Sequence, residues 1–228
     1  MPSDRELTVF NGSPRGGSGN TEHLIRALCD GYRLAGGAVS EPTLYLREES
    51  RHAEHVRAFS HAGRILLAFP LYTDAMPGLV KAFIEELEPL CEREANAPIA
   101  FLVHSGFPEG THSRRIERYL ERLAGRLKQP YLGTIVKGNS EGIRHRSSDE
   151  NEAMFARLRT LGADLVDGRP MTADALRALA APERFPWWMV PIGHVMLRLR
   201  KAQSFWDEQL KKNNAYDQRF ARPYIGRE

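Results

Sequence analysis

Apolar residues along this chain fall into two alternating kinds of run. Short, nearly continuous runs predict strands at Leu7–Phe10, Thr43–Leu46, Arg64–Phe69, Pro98–Val103 and Tyr131–Val136. The third and fourth are apolar at almost every position, as in strands covered on both faces. Between them lie stretches with apolar positions at helical spacing. The clearest follows Asn20, where Thr21 starts a helix, Leu24, Ile25, Leu28 and Tyr32 share one face, and Gly36-Gly37 ends it near Ala35. Further helices are predicted over 52–60, 78–90, 111–128 and 151–166. Five strands alternating with helices imply right-handed crossovers and a parallel sheet with helices on both faces. A five-strand repeat of this size fits the flavodoxin-like α/β order 2-1-3-4-5, a three-layer sandwich spanning residues 1–168. Residues 169–228 are then a mostly helical C-terminal extension, with a helix over 204–219 and an extended arm at Arg222-Pro223-Tyr224.

Composition narrows the class. The 228 residues are 42% hydrophobic and 27% charged, ordinary for a globular chain and unlike a disordered one. A net charge of +3 is too small to argue for nucleic acid. The extension carries 11 Lys/Arg against 6 Asp/Glu, so it is a basic appendage. No apolar run reaches the ~20 residues of a membrane span, and the N-terminus does not read as a secretory signal. The two cysteines, Cys29 and Cys91, form no Cys-x-x-Cys. No four-cysteine metal or iron–sulfur centre is expected, and a reducing cytoplasm is the expected compartment.

In an open parallel sheet, ligands bind beyond the carboxyl ends of the strands. The loops after the first, third, fourth and fifth strands are all rich in Gly, Pro and hydroxyl residues. Gly12-Ser13-Pro14-Arg15-Gly16-Gly17-Ser18-Gly19-Asn20-Thr21 leads into a helix N-terminus. Its backbone amides, with Ser13, Ser18, Asn20 and Thr21, suit a terminal phosphate. It is no Walker A loop, because no Gly-Lys-Ser/Thr closes it. Phe69-Pro70-Leu71-Tyr72-Thr73-Asp74-Ala75-Met76-Pro77-Gly78 offers Tyr72 and Met76 for packing on a planar ring, or else for core filling.

Gly12-Ser13-Pro14-Arg15 with Ser18-x-Asn20-Thr21, followed by Pro70-x-Tyr72 with Met76-Pro77-Gly78 and Lys81-Ala82-Phe83-Ile84, resembles the NAD(P)H-dependent FMN reductase family of the flavodoxin-like superfamily. Ser105-Gly106-Phe107-Pro108-Glu109 and Gly133–Gly138 with Glu141-Gly142 are similar to its fourth and fifth loops. The resemblance implies a non-covalent FMN, with NADH or NADPH as co-substrate. It puts the phosphate against Ser13, Arg15, Ser18, Asn20 and Thr21. The isoalloxazine would lie along Pro70, Leu71, Tyr72, Thr73 and Met76, and its pyrimidine edge near Ser105, Gly106 and Phe107. The flavin carries the chemistry, so no catalytic side chain is implied. The expected partners are a small-molecule acceptor, such as free flavin or a quinone, and a second copy of the chain in a homodimer or homotetramer.

Two other readings stand beside this one. A flavodoxin-type electron carrier would hold FMN without turning over pyridine nucleotide. A flavin-free binding or hydrolase domain would use the same fold, with Ser105 and His104 as a conceivable nucleophile pair, although Val103-His104-Ser105-Gly106 is not Gly-x-Ser-x-Gly. His52, His55 and His61 lack a carboxylate or cysteine at a metal-site spacing. Arg114, Arg115, Arg118, Arg122 and Arg126 read as a solvated helix face. The tryptophan-rich stretch 185–197 is expected to pack on the domain or on a dimer partner.

Overall fold

The computed structural model describes residues 5–91, 97–189, 191–192 and 200–222. Positions 190 and 193–199 and the arm beyond Arg222, on which parts of the tail reading fall, lie outside them. The elements are β1 (Glu6–Asn11), α1 (Asn20–Leu34), β2 (Ala38–Val39), β3 (Leu44–Tyr45), α2 (His52–His61), β4 (Arg64–Pro70), α3 (Gly78–Glu86), β5 (Ile99–His104), α4 (Arg115–Arg126), β6 (Tyr131–Lys137), α5 (Ser148–Asp164), α6 (Ala173–Ala180) and α7 (Arg200–Lys212).

All strand pairs are parallel, in the order β2-β1-β4-β5-β6, with β3 also pairing β1. The described sheet has six strands where five are expected, because the second strand comes in two pieces. Ala38-Val39 pairs with Glu6-Leu7 and Leu44-Tyr45 with Phe10-Asn11. Pro42 stands between them and has no N–H to continue the ladder. Both pieces lie on the same side of β1, so the strand order is unchanged.

Alternation along the central strands builds two cores. Leu66 and Ala68 of β4, with Ala100 and Leu102 of β5, join Leu24, Leu28 and Tyr32 of α1 and Leu158 and Leu161 of α5. Ile65, Leu67 and Phe69, with Phe101 and Val103, face Phe59 of α2, Val80 and Phe83 of α3 and Leu120 of α4. The predicted helix over 78–90 is cut at Glu86, and a 3-10 turn at Glu88–Leu90 follows, because Pro89 cannot donate into the helix. Helix α5 starts three residues before its predicted position. Ser147 and Glu150 form a reciprocal capping box, Ser147 N–H donating to Glu150 Oε2 at 2.8 Å and Glu150 N–H to Ser147 Oγ at 3.3 Å.

The first compact unit runs to Arg184 rather than to 168. The sixteen residues beyond the expected boundary are held by α6, whose Leu179 is buried in one core and Ala180 in the other, and by Met171 N–H donating to Leu132 O at 2.8 Å. Residues 185–228 form the second unit. Within it α7 ends at Lys212 rather than 219, because Asn214 takes φ 53° just past the last turn and Ala215 N–H returns to Leu210 O. Arg219 then stacks over Tyr216, 3.9 Å from its ring centre. Trp187, Trp188 and Trp206 are exposed. No helix among the described residues is long and apolar enough to cross a membrane.

Arg64, at the buried start of β4, ties the strand to the end of α5. Its Nη1 donates to Leu165 O at 2.6 Å, Val166 O at 2.5 Å and Tyr32 Oη at 3.0 Å. These carbonyls close the carboxyl end of a helix, where a cation is favoured. Arg64→Met would leave Val166 O buried without its donor, while Leu165 O keeps Gly168 N–H, so it is expected to lower unfolding free energy by about 1–3 kcal/mol. Urea unfolding of the two proteins measures the difference.

Candidate functional site

The carboxyl ends of β1, β4, β5 and β6 come level on one side of the sheet, where Pro70 pairs with His104 and His104 with Lys137. A cleft of about 110 Å³ opens there, walled by Ser13, Arg15, Asn20, Thr21, Pro70, Leu71, Tyr72, His104, Ser105, Gly106, Ser140 and Glu141. Whole-ligand pockets usually exceed about 300 Å³, so this cleft has room for no more than one end of a ligand of that size.

The loop after β1 is shaped by Asn11, which is fully buried. Its Oδ1 accepts from Ser13 N–H at 2.9 Å, and its Nδ2 donates to Glu22 Oε2 at 3.1 Å. One side chain therefore fixes both the loop's start and the first turn of α1. Glu22 N–H is taken by Gly19 O. The amides of Asn20 and Thr21 precede it in that turn and have no intrahelical acceptor. Ser13 Oγ accepts from Arg15 N–H at 3.3 Å, which leaves its own proton for the cleft. Arg47 and Arg144 each reach within 3.5 Å of loop carbonyls, those of Arg15 and Ser18, so three guanidinium groups surround the turn. The region favours an anion.

The other three loops are stitched together by backbone bonds. Leu71 N–H donates to His104 O at 2.7 Å, Ser140 N–H to Ser105 O at 3.0 Å and Asn139 N–H to Phe107 O at 2.7 Å. At the floor, His104 is 5% exposed. Its Nε2 lies 2.7 Å from Thr21 Oγ1 and its Nδ1 2.8 Å from Ser140 Oγ. Burial alone lowers its pKa to about 4. Ser105 Oγ accepts from Ser113 Oγ at 3.1 Å. Lys137, beside His104 in β6, has its pKa lowered by burial first and by Arg146 and Arg157 second.

The structure gathers nine of the thirteen predicted site residues on the cleft wall: Ser13, Arg15, Asn20, Thr21, Pro70, Leu71, Tyr72, Ser105 and Gly106. The other four are not on it. Ser18 is exposed and donates to Arg15 O at 2.9 Å, within its own turn. Thr73 occupies a tight turn with Asp74, at φ 48° and 65°, in which Tyr72 and Ala75 exchange backbone hydrogen bonds. Met76 packs against the apolar core, the core-filling alternative weighed for it. Phe107 is 44% exposed, with its ring 4.9 Å from that of His112. Asn20 lines the cleft, but its Nδ2 donates to Ser140 O at 2.8 Å, so it braces two loops. His104 at the end of β5, and Ser140 and Glu141 of the fifth loop, complete the wall beyond those thirteen residues. Among the described residues no cluster of three or more His, Cys, Asp or Glu is placed to hold a metal.

Solved structures share this architecture at low identity. A flavone reductase superposes with TM-score 0.58 and 15% identity over 71% of this chain, which spans 62% of that protein. An NADH:FMN oxidoreductase in its apo form gives TM-score 0.56 and 17% identity, covering 78% of this chain and 96% of that one. The fold is flavodoxin-like. An FMN-dependent NADH-azoreductase from Bacillus anthracis str. Ames Ancestor, in complex with FMN, gives TM-score 0.53 and 10% identity over 71% of this chain and 99% of that one. No protein-family model and no curated protein matches the sequence. The cleft therefore sits where flavodoxin-like sheets place ligands, at the switch point between β1 and β4.

Proposed function

We propose that this chain is an FMN-dependent oxidoreductase that takes hydride from NADH or NADPH and passes it to a small acceptor such as free flavin or a quinone. The observation that carries the reading is the anion-ready turn of Ser13, Arg15 and the first-turn amides of α1, one cleft-width from the half-exposed ring of Tyr72. That pairing suits a phosphomonoester joined to a flat heterocycle. FMN, when bound, supplies a ring nitrogen that accepts and releases hydride.

The residues fit such a ligand. Ser13 has a free proton for the phosphate, and Arg15 adds charge. Gly106 leaves the wall of the fourth loop open, and Tyr72, 52% exposed, offers a face for stacking. Ser105 keeps its own hydroxyl proton for a carbonyl at the ring edge, because it accepts from Ser113. Together these groups bind and orient, and none is placed as a nucleophile. His104 engages Thr21 and Ser140, so Ser105 has no base beside it and the hydrolase alternative lacks its geometry. Two solved structures of the same fold are named as an FMN-dependent NADH-azoreductase with FMN bound and an NADH:FMN oxidoreductase, which supports the reading.

The test is a spectrum and a titration. Purified protein, as isolated or after addition of FMN, is expected to show flavin bands near ~450 nm that shift on binding. Ser13→Ala is expected to weaken FMN binding by about 1.5–3 kcal/mol, the range for a hydrogen bond to a charged group, and to leave riboflavin binding unchanged. A protein that ignores added FMN overturns the proposal. Bound FMN without NAD(P)H oxidation in the presence of a quinone favours the electron carrier.

A further inference from the structure

The floor of the cleft holds a chain of protons whose direction the geometry sets. Ser140 Oγ stands 2.8 Å from Ser105 O, and a carbonyl only accepts, so the Ser140 proton lies between them. Ser140 Oγ must then accept from its other close neighbour, His104 Nδ1–H, at 2.8 Å. A neutral imidazole holding its proton on Nδ1 has a bare Nε2. Thr21 Oγ1, 2.7 Å away, fills it by donating its only proton. In this state Thr21 faces the cleft with lone pairs, although it sits in the turn built for an anion.

Resting on the phosphate assignment above, we propose that His104 is a positioning residue that gains a proton when an anion docks on the 13–21 turn, so that Thr21 switches from donating to the ring to donating to the anion. The proton goes to Nε2, from solvent or from the second acid group of the monoester, and leaves when the anion leaves. Beyond that N–H, which takes its proton from an O–H of solvent or of the monoester, no covalent bond changes. With Nε2–H donating to Thr21 Oγ1, the threonine proton is free for a phosphate oxygen, while Nδ1–H and Ser140 keep their partners. The groups around the ring suit a state that is neutral when empty and charged when filled. Lys137 from β6 and Arg15 across the cleft oppose a cation. Glu141 on the fifth loop favours one, as does Glu22 on α1, though Glu22 is already engaged by Asn11 and Arg26. An arriving dianion adds the missing negative charge. The empty ring stays neutral above about pH 4. Proton uptake on binding therefore makes affinity rise as pH falls, by up to roughly tenfold per unit, between the ring's raised pKa in the complex and the monoester's second pKa of about 6, below which the free ligand already carries the proton and the slope flattens.

The experiment is histidine ring ¹⁵N NMR of the full chain at pH 6.5, alone and with FMN, inorganic phosphate or riboflavin. His104 is expected as the neutral Nδ1–H form alone and with riboflavin, and as imidazolium with FMN. Bound FMN with a neutral His104 overturns this proposal and leaves the flavin reading standing. Phosphate that charges His104 in a protein unable to bind FMN supports the switch and overturns the flavin reading. Failure of both FMN and phosphate to bind overturns both. Thr21→Ser and Thr21→Val give a second readout. The serine variant should keep the wild-type pH slope of FMN affinity relative to riboflavin, and the valine variant should lose the part due to His104. Equal slopes for wild type and Thr21→Val would overturn the assignment.

Discussion

Gly31→Ala is expected to destabilise the protein by more than about 3 kcal/mol, although the same change in an open helix stabilises by roughly 0.5–1 kcal/mol. Gly31 lies in α1 where it crosses α5, and a methyl there would stand closer than 3.0 Å to the carbonyl of Arg159. The contact is reciprocal, for a methyl on Gly162 of α5 would collide with the carbonyl of Leu28. Both obstacles are backbone, so no rotamer change relieves them, and the two helices must separate. Separation would open the core that Leu24, Leu28, Tyr32, Leu158 and Leu161 fill. Gly125 of α4 is the control, because a methyl there meets nothing within 4 Å. Gly125→Ala should raise the melting temperature and Gly31→Ala should lower it steeply, in the same thermal scan. Similar shifts for both would mean that the α1–α5 contact is not the close approach described.

That pair of glycines also marks where sequence reading stops. The strands were legible because a buried parallel strand leaves an unbroken apolar run, as in Ile65–Phe69. The gathering of four loops was legible because a parallel sheet aligns its carboxyl ends. Gly31 and Gly125 look alike in a sequence, each a weak residue inside an amphipathic helix, and only the packing separates them. The loop hydroxyls raise the same difficulty. Ser13, Ser18 and Thr21 are equivalent when donors are counted along a turn. In the fold, Ser18 donates to its own loop and Thr21 is paired with a histidine 83 residues away, which leaves Ser13 free. Met76 was readable as ring-facing or core-filling, and its place in the core follows from where α3 lies against the sheet. Arg47 and Arg144 reach the anion turn from distant loops, and no local pattern joins them to it.

Gly106→Val is expected to cut FMN affinity by on the order of 100-fold, about 2.7 kcal/mol, with the melting temperature of the empty protein nearly unchanged. A Cβ built on Gly106 meets only Glu141, at 3.9 Å from its Cβ, and the backbone there is not left-handed, so the free fold has room for the first carbon of a side chain and the branches are expected to extend into the cleft. The space it takes belongs to the cleft, since Gly106 and Glu141 both line it. A flavin ring brought against the fourth loop loses that approach. This loss differs in kind from that of Ser13→Ala. Removing a phosphate donor should spare riboflavin, whereas filling the ring's approach should weaken riboflavin and FMN by the same factor. Parallel titrations of both ligands against both variants therefore locate the two ends of the molecule. An unchanged FMN affinity in Gly106→Val would move the ring away from the fourth loop, toward Tyr72 alone, while a loss confined to FMN would place the phosphate, not the ring, at Gly106.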